Sequence, residues 1–176
     1  MCRVLGLGEA LRRFEIALLD TESPSRVLEV GCGTGELLRS LARRFPRAAL
    51  TGIDPDPEAL RLAGNKLRRD GIEARLVPGR AESLPFAVSS FDLVVSSLMI
   101  HHLPTATKVQ ALRECRRVLE PGGTFLLVDF GPPRSWPARI LLWPLRFPIF
   151  EEQADNLRGR LPAMLAEAGF SEESPT

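Results

Sequence analysis

Two histidines, His101 and His102, stand side by side after an apolar run, and the chain has no others. An imidazole titrates near pH ~6.5 when unperturbed, so either ring could take a proton from an oxygen acceptor. The alternative is that "HHL" opens a helix with one ring simply packed or hydrogen-bonded. A second stretch with chemical potential is "VLEVGCGTGE", where Glu29 precedes glycines at 31, 33 and 35. Glycines after a strand let a ligand approach the backbone closely. In a dinucleotide turn, G-x-G-x-x-G, the third glycine would fall at Glu36, whose carboxylate would repel a pyrophosphate at the helix start. The phosphate-gripping G-x-x-x-x-G-K-[ST] is absent as well. The turn therefore suits a ligand with no phosphate at that point.

Asp54 closes "GIDPD" and can accept hydrogen bonds from both hydroxyls of a ribose, each worth roughly 1.5–3 kcal/mol. Its competing role is to cap the next helix, for which Asp56 is better placed. Cys32 sits inside the glycine turn without an adjacent histidine to activate it, so it reads as a small side chain rather than a nucleophile. Asp129, after a later apolar run, is a weaker candidate for acceptor contact.

The elements that must position these residues alternate. Strand-like runs are expected at 26–31, 49–54, 74–79, 91–97 and 124–131, each short and nearly continuous in apolarity, as parallel strands covered on both faces are. Between them Leu37, Leu38, Leu41 and Phe45 mark one helix face, and Leu60, Ala63 and Leu67 a second. Val109, Leu112, Cys115 and Leu119 mark a third, stopped by "PGG" at 121–123. Such alternation predicts an open, mostly parallel α/β sheet with helices on both faces and a ligand at the carboxyl ends of its strands.

One domain over 1–176 is expected, with a core at 26–131, an acceptor lid or insertion at 132–154, and a C-terminal helix at 155–169 that Gly159 and Pro162 break or bend. The lid carries Trp136, Trp143, Phe147 and Phe150 among Arg134, Arg139 and Arg146. That mixture suits an apolar acceptor, peripheral contact with a membrane surface, or ordinary packing.

Bulk composition excludes more than it selects. A net charge of +1 gives no electrostatic footprint for nucleic acid. The arginine pairs 43–44, 68–69 and 116–117 read as solvated helix faces. Three dispersed cysteines, Cys2, Cys32 and Cys115, form neither a disulfide framework nor a metal site. The longest apolar run, 140–150, is too short and too interrupted to span a bilayer, and the N-terminus lacks the apolar core of a signal peptide. A cytoplasmic protein is expected.

Five stretches taken in order carry a family likeness: "VLEVGCGTG", "TGIDPDPEAL", "GRAESLPF", "FDLVVSSLMIHHLP" and "ALRECRRVLEPGGTFLLVDF". They resemble successive motifs of class I S-adenosylmethionine-dependent methyltransferases, especially the small-molecule branch that includes ubiquinone/menaquinone-biosynthesis enzymes. The resemblance implies a Rossmann-like three-layer α/β/α sandwich. "GFSEESPT" stops where the first of the family's last two strands would begin, so those strands are expected to be missing. A fifth-strand edge left that way could be covered by a second copy.

By the same resemblance S-adenosylmethionine is the cofactor, and its methyl passes to a small, apolar or aromatic acceptor by in-line displacement. Gly31, Cys32, Gly33 and Gly35 would form the cofactor turn, with Glu29 beneath it near the methionine amino end. Asp54 would hold the ribose and Pro55 would lie beside the adenine. Ala81, Glu82 and Leu84 fall where adenine contacts lie, and Ser97 and Leu98 would reach the methionine part. Arg80 departs from the family, which often has an acidic residue there to meet the adenine amino group; arginine has no acceptor. Alternatives are a cofactor-binding but catalytically silent module and, less in keeping with Glu36, a nicotinamide dehydrogenase.

Overall fold

The computed structural model describes residues 7–132 and 151–171. Helix α1 (Leu7–Ala17) leads into β1 (Arg26–Val30), α2 (Glu36–Arg44), β2 (Ala49–Asp54), α3 (Pro57–Arg69) and β3 (Arg75–Pro78). Then follow β4 (Phe91–Ser97), a single 3-10 turn at Ile100–His102, α4 (Thr105–Val118), β5 (Leu119–Val128), α5 (Glu151–Leu157) and α6 (Leu161–Glu167). The five strands are all parallel, in the order β3-β2-β1-β4-β5.

That order reverses beside β1, whose neighbours are β2 on one side and β4 on the other. The loops after β1 and β4 therefore diverge to opposite faces and leave a crevice at the strand ends. Strand alternation sorts the core. Val27, Leu93 and Val95 pack against Leu37, Leu38, Leu41 and Leu67 beneath the first three helices. Leu28, Val30 and Val94 pack on the other face, against Leu112, Cys115 and Met164 of α4 and α6.

Local chemistry sets the boundaries. Asp56 accepts from the Glu58 N–H (2.9 Å) and Pro57 occupies the first turn, so α3 starts there. Two expectations are revised. β5 begins at Leu119 rather than 124, because "PGG" is an excursion inside the strand: Phe91 pairs with Leu119, and Leu93 pairs with Thr124. The C-terminal helix expected from 155 starts at Glu151, inside the stretch expected as the lid, and it breaks where Gly159 (φ +70°) was expected to break it.

Of the arginine pairs, 43–44, 68–69 and Arg116 are exposed as expected, but Arg117 is half-buried. It donates to the carbonyls of Leu84 (2.9 Å) and Phe86 (2.8 Å), while Glu114 accepts from the Leu84 N–H (2.8 Å). The α4 pair Glu114–Arg117 thus pins the loop that follows β3. The aromatic and arginine residues 134–150 of the expected lid lie outside the described residues, as does Cys2. No helix among the described residues is long and apolar enough to cross a membrane.

Candidate active site

The turn after β1 is built from three left-handed glycines that are needed for different reasons. Gly31 (φ +77°) lies under Met99, whose Cγ would stand 2.2 Å from an added Cβ. Gly35 (φ +77°) faces Ala63 of α3, 3.0 Å from such a Cβ, so it sets the spacing between α2 and α3. Gly33 (φ +49°) meets nothing within 4 Å, and its missing side chain opens onto free space. The turn is held from β2. The Gly31 and Cys32 N–H groups donate to the Ile53 carbonyl (2.9 and 3.1 Å), and the Gly33 N–H donates to Asp54 Oδ2 (2.8 Å).

Asp54 Oδ1 accepts from the Asp56 N–H (2.9 Å). Each carboxylate oxygen keeps a second lone pair for another donor. Cys32 is buried, with Sγ over Gly52; burial and the nearby Glu29 and Asp54 charges push its thiol far up, so it is inert packing. The Glu36 charge is paired: Lys66 Nζ binds its carboxylate (2.6 Å) and also donates to the Thr34 carbonyl within the turn (2.8 Å). Arg39 Nη1 donates to it as well (3.1 Å).

Glu29 is buried near the Leu38 N–H in the first turn of α2, a group that favours its charged form. The N-cap of that helix, Gly35, offers no side-chain hydrogen bond. Its Oε2 has no hydrogen-bond partner. Burial raises the Glu29 carboxyl well above its usual range; Arg12 and the Leu38 N–H pull it down, while Glu15 and Asp54 push it further up.

Ser97, expected near the cofactor's methionine part, meets two α1 side chains that the sequence did not join to it. Its hydroxyl donates to Glu15 Oε1 of α1, and Arg12 Nη2 lies 3.4 Å from the same hydroxyl. Glu15 is fully buried, and Arg12 Nη1 stands 3.0 Å from its Oε2. A buried glutamate beside an arginine three residues earlier was legible only as an i,i+3 ion pair on an amphipathic helix.

At the ends of β4 and β5 a second arrangement forms. Leu98 takes φ +49°, a left-handed conformation costly for a branched side chain, and remains exposed. The twist throws Met99 over Gly31 and starts the 3-10 turn that carries both histidines. His101 Nδ1 lies 2.7 Å from Asp129 Oδ1, and its backbone N–H donates to Oδ2 (3.1 Å). The Asp129 side chain is wholly buried and also accepts from the Phe130 N–H (2.8 Å). The His101 ring lies against those of Phe130 (4.5 Å) and His102 (4.0 Å), and His102 is exposed. His101 thus has a buried carboxylate that orients its ring.

On the β3 side Ala81 and Leu84 are buried, Pro55 is exposed, and Glu82 is paired with Arg80 (Nε–Oε1 2.5 Å). Burial pushes the Glu82 carboxyl up, but the Arg80 bond, its own N–H and the Arg80 charge together hold it below its usual range. Among the described residues no cluster of His, Cys, Asp and Glu could hold a metal ion.

The family model described as a methyltransferase domain matches residues 27–123, more than half the chain. The chain belongs to this methyltransferase family. The methyltransferase is 35% identical to the demethylmenaquinone methyltransferase of Thermus thermophilus, over 96% of this chain and 86% of that protein. It is 38% identical to the enzyme of the same name from Deinococcus radiodurans, over 76% of this chain but 55% of that protein. Among solved structures, YcgJ of Bacillus subtilis matches at TM-score 0.73 and 28% identity, covering 91% of this chain and 68% of that one.

A methyltransferase from Methanosarcina mazei described as S-adenosylmethionine-dependent matches at TM-score 0.66 and 31% identity, over 76% and 65% of the two chains. The class is that of the S-adenosylmethionine-dependent enzymes of the ubiquinone/menaquinone type, and S-adenosylmethionine is the cofactor. The methyltransferase's residues fit such a ligand. The open face of Gly33 admits it, Asp54 retains acceptor capacity for hydroxyls, and Glu29 Oε2 is a buried acceptor in need of a donor.

Proposed function

We propose that this methyltransferase methylates a small, apolar or aromatic acceptor bound over the ends of β4 and β5, with His101 as general base. The observation that carries this reading is the Asp129–His101 pair, set beside Leu98 and Phe130 at the strand ends next to the glycine turn. The names of its relatives, demethylmenaquinone methyltransferases, support a quinone-type ring as the acceptor.

When bound, S-adenosylmethionine supplies an electrophilic sulfonium methyl for in-line displacement. The chain's own work is alignment, exclusion of water and one proton transfer. Gly31, Cys32, Gly33 and Gly35 shape the cofactor turn, and Asp54 accepts the ribose hydroxyls with Pro55 alongside. Glu29, Ser97 and Leu98 line the amino-acid end. Ala81 and Glu82 border the adenine side, where the Arg80 pairing leaves base recognition chiefly to backbone groups. Holding reactants aligned can supply up to roughly 7–11 kcal/mol of a barrier.

Asp129 would hold the His101 tautomer with the proton on Nδ1, leaving Nε2 to accept the single proton that the acceptor must release when it is methylated. The buried carboxylate then stabilises the imidazolium. The test is transfer of labelled methyl from S-adenosylmethionine to a reduced naphthoquinone. His101→Gln should lower kcat by about 10²–10⁴-fold with cofactor affinity unchanged. An unchanged kcat at saturating acceptor removes the base.

A further inference from the structure

Two of the three buried side-chain polar atoms that lack a hydrogen bond among the described residues lie at one corner, Oε2 of Glu15 and Oε2 of Glu29. They come from α1 and from β1. The third, Ser96 Oγ, points to the opposite face of the sheet, since Ser97 rather than Ser96 meets Glu15. Glu15 Oε2 still has Arg12 Nη1 at 3.0 Å, whereas nothing meets Glu29 Oε2; folding alone gives no reason to bury two carboxylates in one corner with one oxygen unmet, because buried polar groups are normally paired.

The charge count is also unbalanced. Arg12 faces both Glu15, at 3.0 Å, and the field of Glu29, so one cation stands against two carboxylates. An aliphatic ammonium offers three donors and suits a pair of carboxylates, while a guanidinium fork matches a carboxylate. The corner adjoins Ser97 at the end of β4 and the turn that follows β1. It is therefore next to the site where the cofactor's amino-acid end is placed, and the inference rests on that placement.

We propose that α1 is part of the cofactor site and reads the zwitterion at its amino-acid end, Arg12 holding the carboxylate and Glu15, together with Glu29, the ammonium. The cofactor's sulfonium then offsets the remaining negative charge. In this arrangement Ser97 serves as a positioning residue, its hydroxyl fixing the Glu15 carboxylate.

Titration calorimetry of the full chain with four ligands tests the assignment: S-adenosylhomocysteine, its analogue without the carboxyl group, its analogue without the amino group, and 5′-methylthioadenosine, which lacks both. Arg12→Ala is expected to weaken S-adenosylhomocysteine about 10- to 100-fold, with the carboxyl-free analogue and methylthioadenosine changed less than about threefold. Arg12→Lys should recover part of the loss. Glu15→Gln should cost S-adenosylhomocysteine affinity but not that of the amino-free analogue.

Arg12 is partly exposed, so its variants keep the test alive should the Glu15 variant fail to fold. Equal weakening of methylthioadenosine and S-adenosylhomocysteine by Arg12→Ala would mean that the pair only staples α1 down, and the proposal falls. If the unaltered protein binds neither ligand, the cofactor site itself is misplaced and the inference falls with it. Binding of methylthioadenosine alone would leave the adenosine site standing and overturn the α1 assignment.

Discussion

The glycines of the turn differ in what a side chain would cost, and this separates folding from binding. Gly31→Ala places a Cβ against Met99 at a positive φ, and a loss of about 2–4 kcal/mol is expected. Gly33→Ala meets no neighbour and should lose only about 1 kcal/mol of stability from its φ, yet abolish cofactor binding because the methyl fills the approach route. Thermal melts paired with calorimetry check both, and equal destabilisation would refute the distinction.

Glu29 gives a prediction in the opposite direction. Its folded carboxyl titrates above the ordinary 4.5, so its contribution is full below that pH and is lost as pH rises through the folded value. Glu29→Gln keeps an acceptor for the Leu38 N–H and should raise the stability of the ligand-free protein at neutral pH. A gain of about 1–3 kcal/mol is expected, growing upward from pH 4.5, with weaker cofactor binding as the counterpart. A melting temperature that is lower at pH 7.5 would contradict this. Asp54→Ala removes both the ribose acceptor and the anchor of the Gly33 N–H, so a loss of at least about tenfold in cofactor affinity is expected by calorimetry.

Among the elements, α4 and α5 are joined by charge rather than by apolar contact alone. Lys108 is fully buried in α4, with Nζ 3.5 Å from Asp155 Oδ2 and 3.3 Å from Asn156 Oδ1. Thr105 Oγ1 (2.6 Å) and Arg160 Nη1 (2.9 Å) donate to the same aspartate. Asp155→Asn removes a charged partner of a buried lysine and should cost about 3–5 kcal/mol, on the order of 10 °C in melting temperature.

Burial pushes the Asp155 carboxyl up, but Thr105, Lys108 and Arg160 together hold it below 3.8. Its stabilisation is therefore present above pH 3.8 and lost as pH falls through the lower folded value, a limb the variant should lack. None of this network was visible in the sequence. Lys108 stood out only as one of two lysines; its spacing of four and seven from Leu112 and Cys115 puts it on the buried face, but its partners 47 and 48 residues away are encoded by no period.

For the whole molecule, the parallel sheet and the glycine turn after its first strand were legible, because apolar runs and glycine spacing report local constraints; the strand order was not, since it depends on contacts between distant runs. The "PGG" excursion was not, since a turn inside a strand and a turn before one look alike until Leu119 is seen paired with Phe91. The pairing of His101 with Asp129 and of Glu15 with Ser97 joins residues 28 and 82 apart in sequence, and no periodicity encodes such contacts. What could have been noticed is that each pair joins a polar residue at a strand end to a charged residue on another element.

The bond from Asn156 Nδ2 to the Phe130 carbonyl (3.2 Å) joins α5 to the end of β5, next to the carboxylate that orients His101. A seven-residue helix does not hold itself together in water, so α5 lasts only while Lys108 and its partners stay docked. Partial opening of this region would cost less than unfolding the sheet. On gentle heating, catalysis should therefore fade before cofactor binding does, with α5 amides exchanging hydrogen ahead of β1 and β4. The enzyme's thermal limit would then be set by a short helix on its flank.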